Sequence, residues 1–239
     1  MALLPELTSR RLEPEVMDDP GLDPASHRQA LAGLSTVNWF SNSAGILWSK
    51  IGQLARSTST LSLLDVASGG GDVAVGLWRR AARAGVRLQV LGLERSPLAI
   101  AVARERAKET AGQVEFAQAD VLADPFPAGF QVITCSLFLH HLDETCAVAL
   151  LRKMADAASD LLLVNDLHRS RGGYLLAQAA CRLLSRSAVV HLDGPASIAA
   201  GFSMQEAAAF CQKAGITGAS VERRWPSRLL LAWSPNTPR

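Results

Sequence analysis

The sequence predicts an α/β protein: a doubly wound, Rossmann-like sheet, mostly parallel, closed by a C-terminal antiparallel hairpin to give seven strands, behind an N-terminal helical cap. Three observations predict it. Apolar runs alternate with helix-period stretches from Leu61 onward; one such run ends in three consecutive glycines, Gly69 to Gly71; and two short strand-like stretches near the C-terminus are separated only by Pro226. The 239 residues suit one sizeable domain, with 49% hydrophobic and 19% charged residues enough to fill and solvate a core.

In residues 1–57 no strand is predicted. Asp23-Pro24 starts a helix with Ala30, Leu31, Leu34 and Val37 at helical spacing, and "SAGILWSKIGQLA" repeats the pattern, so this segment reads as a cap of two or three helices. Residues 58–239 form the main domain. Strands are predicted at 61–66, 88–93, 114–118, 130–136 and 161–166, with helices at about 71–84, 97–110, 142–157 and 171–186. Strand, helix, strand in repetition means right-handed crossovers and a parallel sheet, with ligand at the carboxyl ends of the strands. Residues 171–202 read as a helical insertion over the substrate. The helix in "SMQEAAAFCQKAG" stops at Gly215, and "ASVERRW" with "SRLLLAW" makes the hairpin.

Composition narrows the function. A net charge of +2 with scattered arginines and 5% aromatic residues argues against nucleic acid as partner. Cys135, Cys146, Cys181 and Cys211 are too far apart for a C-x-x-C pair, which predicts a reduced, cytoplasmic protein. The N-terminal stretch lacks a signal-peptide core and no run reaches the length of a membrane span, so no membrane partner is expected.

The glycine stretch "LLDVASGGGDVAVGLWRR" sets backbone N–H groups and a helix N-terminus against a ligand. As a dinucleotide fingerprint, Gly69 to Ala74 fits G-x-G-x-x-A, with Glu94 about 20 residues on. Against that reading, Asp65 and Asp72 would flank a pyrophosphate, a like-charge contact costing about 1–4 kcal/mol. S-adenosylmethionine (SAM) carries no phosphate but an ammonium and a sulfonium, so the same acids become favourable. Glu94, ending the second strand, is positioned for a ribose diol; Asp120, after the third, for an adenine amino group, with Val121 beside the ring.

On these residues the chain resembles the class I SAM-dependent methyltransferases, from "LLDVASGGGD" through "LGLERS", "AQADVLADPFP" and "VITCSLFLHHLDE" to "LLLVNDLHRS", roughly residues 60–235. The family's D-x-G-x-G-x-G stands here as Asp65, Ala67, Gly69 and Gly71, with alanine for the first glycine, which an extended backbone would tolerate. The resemblance implies SAM as cofactor, S-adenosylhomocysteine as product, and a donor site of Asp65, Ala67, Ser68, Gly69, Gly71, Asp72, Glu94, Arg95, Asp120, Val121 and Ser136. More narrowly, the N-terminal region and "VVHLDGPASIAAGF" resemble bacterial methyltransferases of polyketide, phenol and quinone pathways, which implies a small aromatic acceptor and a monomer or homodimer.

Candidate bases are His140 and His141 after the fourth strand, His140 ahead of its neighbour, then Asp166 with His168 on one face of the fifth, and His191 with Asp193. Candidate acceptor walls are Trp39, Phe40, Trp48, Phe138, Leu139, Tyr174 and Phe202. No metal is predicted: Asp166 and Asn165 offer hard oxygens, but Cys135 and Ser136 stand where a further carboxylate is needed. The expected reaction is in-line displacement on the SAM methyl by a phenolic, polyketide or quinone-type hydroxyl. Three readings stand beside it: carbon methylation of a quinone ring, an NAD-dependent oxidoreductase, and a non-catalytic SAM-binding protein.

Overall fold

The computed structural model describes residues 6–19 and 21–235. Seven strands form one sheet in the order β3-β2-β1-β4-β5-β7-β6. The strands are β1 (Thr60–Val66), β2 (Arg87–Glu94), β3 (Val114–Gln118), β4 (Val132–Ser136), β5 (Leu161–Leu167), β6 (Ser220–Arg224) and β7 (Arg228–Trp233). Strands β1 to β5 run parallel, and β7 lies antiparallel between β5 and β6. The order reverses between β1 and β4, which makes the glycine turn after β1 a topological switch point where ligands bind.

Helices α2 (Ser43–Leu54), α3 (Asp72–Arg83) and α4 (Pro97–Ala107) cover one face. Ile46, Leu47 and Ile51 of α2 share a single core with Leu61, Leu63, Leu88 and Leu230 of the sheet, so α2 packs as one of the sheet's own layers. Leu47 and Ile51 are fully buried, and each contributes about 1.5–3 kcal/mol by leaving water. Helices α5 (Glu144–Ala157) and α8 (Met204–Lys213) cover the other face, against Leu64, Val66, Ile133, Leu162, Val164 and Leu231. The two cores take alternate residues of the same strands, as the period-2 side-chain alternation requires.

Local chemistry sets the helix ends. Asp23 caps α1 (Pro24–Phe40) by accepting from Ala25 and Ser26 N–H, and Ser203 with Glu206 forms a capping box on α8. The insertion over the carboxyl edge is two helices, α6 (Arg171–Leu184) and α7 (Ala188–Ala200), parted by buried Ser185 and Ser187. Ser187 caps α7 by accepting from Val190 N–H. Helix α5 starts two residues later than the expected 142 because residues 139–141 form a separate 3-10 turn, with the His140 N–H donated to Asp166.

At the glycine turn the backbone departs from the extended form expected at Ala67, whose φ is +55°. Two glycines follow in the same region, at φ +52° for Gly69 and +73° for Gly71. A Cβ on Gly71 would lie 2.6 Å from Phe116 Cζ, so glycine is required there by contact as well as by torsion. Ala67 holds a left-handed conformation that costs an L-residue about 1–2 kcal/mol. Ala67→Gly is therefore expected to stabilise the fold by about 1 kcal/mol, raising the melting temperature by about 2–4 °C in thermal denaturation; a lowered midpoint would contradict the strain.

Candidate active site at the carboxyl edge of the sheet

Three carboxylates surround the glycine turn. Asp65, near the end of β1, is 1% exposed and accepts from Thr134 Oγ1 at 2.7 Å. Burial first, and then the charges of Asp72 and Glu94, push its carboxyl up to about 7 in spite of the Thr134 bond. Asp72 opens α3, accepts from Asn38 Nδ2 at 3.0 Å and lies 3.5 Å from Arg106 Nη1. Burial also raises its pKa, against the pull of Arg106.

Glu94 ends β2 and ties the turn to the next helix: Oε2 accepts from Gly69 N–H at 2.9 Å and Oε1 from Ser96 N–H at 2.8 Å. A carboxylate offers about four lone-pair sites, so both oxygens retain capacity for a diol. Nothing lies within 4 Å of where a Gly69 Cβ would stand, leaving the turn open toward a ligand. Ser68 is buried, its N–H on the Leu93 carbonyl. Asp120 Oδ1 accepts from Leu122 N–H, and Asp124 accepts the N–H of Asp120, so Asp124 braces the loop that presents Asp120 and the buried Val121. Arg95 is exposed, and Ser136 Oγ accepts from Asn165 Nδ2 at 2.9 Å.

Beyond β4 and β5 the charges are paired. Asp166 is fully buried, and His140 Nδ1 lies 2.7 Å from its Oδ1; Asp166 also accepts the N–H of Leu167. His140 Nε2 faces Glu15 Oε1 at 3.7 Å. Burial opposes the charge on His140, but Asp166 and Glu15 outweigh it and hold the imidazole protonated up to about 9. His141 lies between Glu15 and Asp18, at 3.9 and 3.4 Å, with its ring 4.2 Å from that of His140. The segment carrying Glu15 crosses this edge as a strap: Arg10 donates to the carbonyls of His140, Leu142 and Ala200, and Asp193 accepts the N–H groups of Val16 and Met17. A cavity of about 250 Å³ lies between strap and loop, lined in part by Glu15, Asp18, His140, His141 and Ala200.

Several expected pairings differ. The partner of Asp166 is His140, not His168, because the 3-10 turn swings His140 under the end of β5; His168 is instead held by its N–H on Ser227 and its bridge to Phe202. His191 bonds the Ser185 carbonyl at 2.8 Å while Asp193 serves the strap, so these two form no pair. Phe202 and Leu139, expected as acceptor walls, are 1% and 4% exposed within the core, Phe202 lying beneath the Arg10 guanidinium at 4.2 Å. Trp39 and Phe40 are 75% and 53% exposed and meet edge to face. Trp48 packs on the core, Tyr174 is half-buried, and the Phe138 ring lies 6.0 Å from His141. Glu15, His140 and His141 bring three donor atoms within 4.8 Å of one another. Glu15, Arg10, Asn38, Arg106 and Thr134 were not legible as site residues, since no spacing rule links them to the strands they meet.

Residues 63–160 match the family described as "Methyltransferase domain". Over those residues the chain is similar to that family. Among curated proteins, the chain is 39% identical over 82 residues to a demethylmenaquinone methyltransferase of Thermus thermophilus, covering 34% of this chain and 36% of that protein. It is 32% identical over 137 residues to a ubiquinone biosynthesis O-methyltransferase of Methylococcus capsulatus, covering 56% and 55%. The matched stretches thus span between about a third and just over half of those relatives. Among solved structures, the fold is shared with an O-methyltransferase family 2 protein from Planctomyces limnophilus in complex with apigenin, at 19% identity and TM-score 0.64 over 91% of this chain and 63% of that one. It is also shared with an O-methyltransferase from neocarzinostatin biosynthesis in complex with S-adenosylhomocysteine and 1,4-dihydroxy-2-naphthoic acid, at 19% identity and TM-score 0.64 over 92% and 61%. No helix among the described residues is long and apolar enough to cross a membrane.

The raised pKa of His140 is a statement about stability at the carboxyl edge of the sheet. A histidine whose folded pKa exceeds its ordinary 6.5 stabilises fully below that value and loses the contribution as pH rises through about 9. Urea unfolding between about pH 7 and about pH 9 is expected to show stability falling with pH in the native chain and a flatter profile in His140→Gln; parallel profiles would contradict the buried ion pair.

Proposed function

We propose that the chain is a SAM-dependent methyltransferase acting on a hydroxyl of a small aromatic acceptor. The observation that carries this reading is the set of acids at the glycine turn, Asp65, Asp72 and Glu94, of which only Asp72 has an arginine opposite. Such a cluster suits a cationic nucleoside and opposes a pyrophosphate, which counts against an NAD-dependent oxidoreductase. The quinone-pathway relatives and the neighbours bound to apigenin and to a dihydroxynaphthoic acid support an aromatic acceptor.

When bound, SAM supplies a methyl group already activated on a sulfonium. The chain's own work is then mainly alignment. Gly69 and Gly71 hold the turn open, Glu94 receives the ribose diol with its remaining lone pairs, and Asp120 with Val121 receives the adenine. Asp65 and Asp72 favour the cationic end. His140, 3% exposed against Asp166 and with its proton held up to about 9, is a positioning group, while His141, 23% exposed and facing the cavity, is the better placed to take a hydroxyl proton. Carbon methylation would use the same donor site, and product analysis separates it.

Two tests follow from the acids. Calorimetric titration is expected to give binding of SAM and S-adenosylhomocysteine, lost by about tenfold or more in Glu94→Ala, and no binding of NAD; NAD binding alone would overturn the reading. Because a cationic ligand favours ionised Asp65, whose carboxyl sits at about 7 without it, SAM affinity is expected to rise about tenfold from about pH 6 to about pH 8. Asp65→Asn should flatten that rise, and an unchanged slope would contradict the role of Asp65.

A further inference from the structure

Two buried arginines invite comparison. Arg169 is 7% exposed and fully served: both Nη atoms bond Glu206 at 2.9 Å, and the carbonyls of Gly201, Leu7 and Thr8 take further protons. Arg228, the first residue of β7, is 4% exposed and has almost none of this. Its Nη2 donates to Ser41 Oγ at 2.9 Å, its Nη1 has no partner, and no carboxylate lies within 4.0 Å of it among the described residues. Burial pulls its pKa down, to about 10, so it remains charged at neutral pH. Asp166 and Asp72 act on its charge from beyond contact distance, but a buried guanidinium with an unpaired N–H is costly, and groups of this kind occur where a ligand completes the pairing.

The surroundings say what kind of ligand. Only two other buried side-chain atoms lack a partner among the described residues, and both are acceptors: Asn38 Oδ1 and Asn165 Oδ1. Asn38 stands one turn before Ser41 on α1 and gives its Nδ2 to Asp72 at the glycine turn. Asn165 lies two residues from Leu167, the β-partner of Arg228, on the same face of the sheet. One unpaired donor with a positive charge and two unpaired acceptors therefore line the side of the sheet that leads from the glycine turn to α6. A carboxylate with a hydrogen-bond donor beside it matches that set. A phosphate dianion, with twice the negative charge, is opposed more strongly by Asp72, which acts on Arg228.

We propose that Arg228 is the anchor for a ligand carboxylate, with Asn38 and Asn165 accepting from the donor group next to it. Two ligands of the methyl-transfer reading, on which this inference rests, carry that chemistry: the α-ammonium carboxylate of the methyl donor, and a hydroxy acid as aromatic acceptor.

Calorimetry on the full chain distinguishes them, using two matched pairs of probes. The first pair is S-adenosylhomocysteine and its decarboxylated analogue S-adenosyl-3-thiopropylamine; the second is 1-hydroxy-2-naphthoic acid and 1-naphthol, titrated with and without S-adenosylhomocysteine. The native chain is expected to prefer the carboxylated member of one pair by about tenfold or more, and that pair identifies the source. Arg228→Met should abolish the preference while leaving the decarboxylated member bound as before, and Arg228→Lys should keep part of it. A merely structural arginine would weaken both members equally. If Arg228→Met does not fold, the loss of preference is read in Arg228→Lys against the native chain. Binding of S-adenosylhomocysteine with no carboxylate preference in either pair, or a preference unchanged in both variants, overturns the anchor and leaves the methyl-transfer reading standing. Failure of the native chain to bind any of the four probes overturns both.

Discussion

Asp166 is completely buried at the end of β5, and its charge is held there by His140, 2.7 Å away, and by two backbone N–H groups. That carboxylate organises the carboxyl edge. It draws the loop after β4 into a 3-10 turn, which sets the His140 ring against Glu15 and so gives the N-terminal strap its seat. Breaking such a pair from one side would leave a buried charge unmatched at a cost of about 3–5 kcal/mol, so the pair ties turn and strand together beneath the strap.

The same constraint, that buried charge must be matched, divides the edge into parts with different work. Around Asp166 the acids and histidines satisfy one another, and this part is architecture with His141 left facing the cavity. Around the glycine turn, Asp65, Asp72 and Glu94 outnumber the one arginine in contact with them, and Asp65 answers by holding its proton to about 7. At Arg228 the imbalance has the opposite sign. The proposed cationic nucleoside would complement the second region and the proposed carboxylate the third.

Much of this was legible in the order of residues. Alternating apolar runs predicted the five parallel strands to within two residues at their ends, and the hairpin about Pro226 followed from two short runs too close for a crossover. Acids at the ends of β1, β2 and after β3 could be assigned to the ligand side because a parallel sheet exposes only its carboxyl edge to ligand. What escaped was whatever depends on long-range approach or on torsion. Ala67 adopts φ +55° because the turn forces it, although its side chain argues against it. His140, rather than the nearer His168, meets Asp166 because a 3-10 turn alters the direction of the ring, which periodicity does not encode. Glu15 and Arg228 reach the edge from opposite ends of the chain. Phe202 read as a wall by its neighbourhood in sequence, yet it fills the core beneath Arg10.

The central claim is that the acids flanking the glycine turn receive an adenosyl cation rather than a dinucleotide. A crystal structure grown with S-adenosylhomocysteine tests it most directly. The account predicts the ribose hydroxyls on the Glu94 carboxylate, the adenine beside Asp120 and Val121, and the amino-acid end running past Gly69 toward Asp72. A ligand seated elsewhere, or one bound with Glu94 turned away from the ribose, would contradict it.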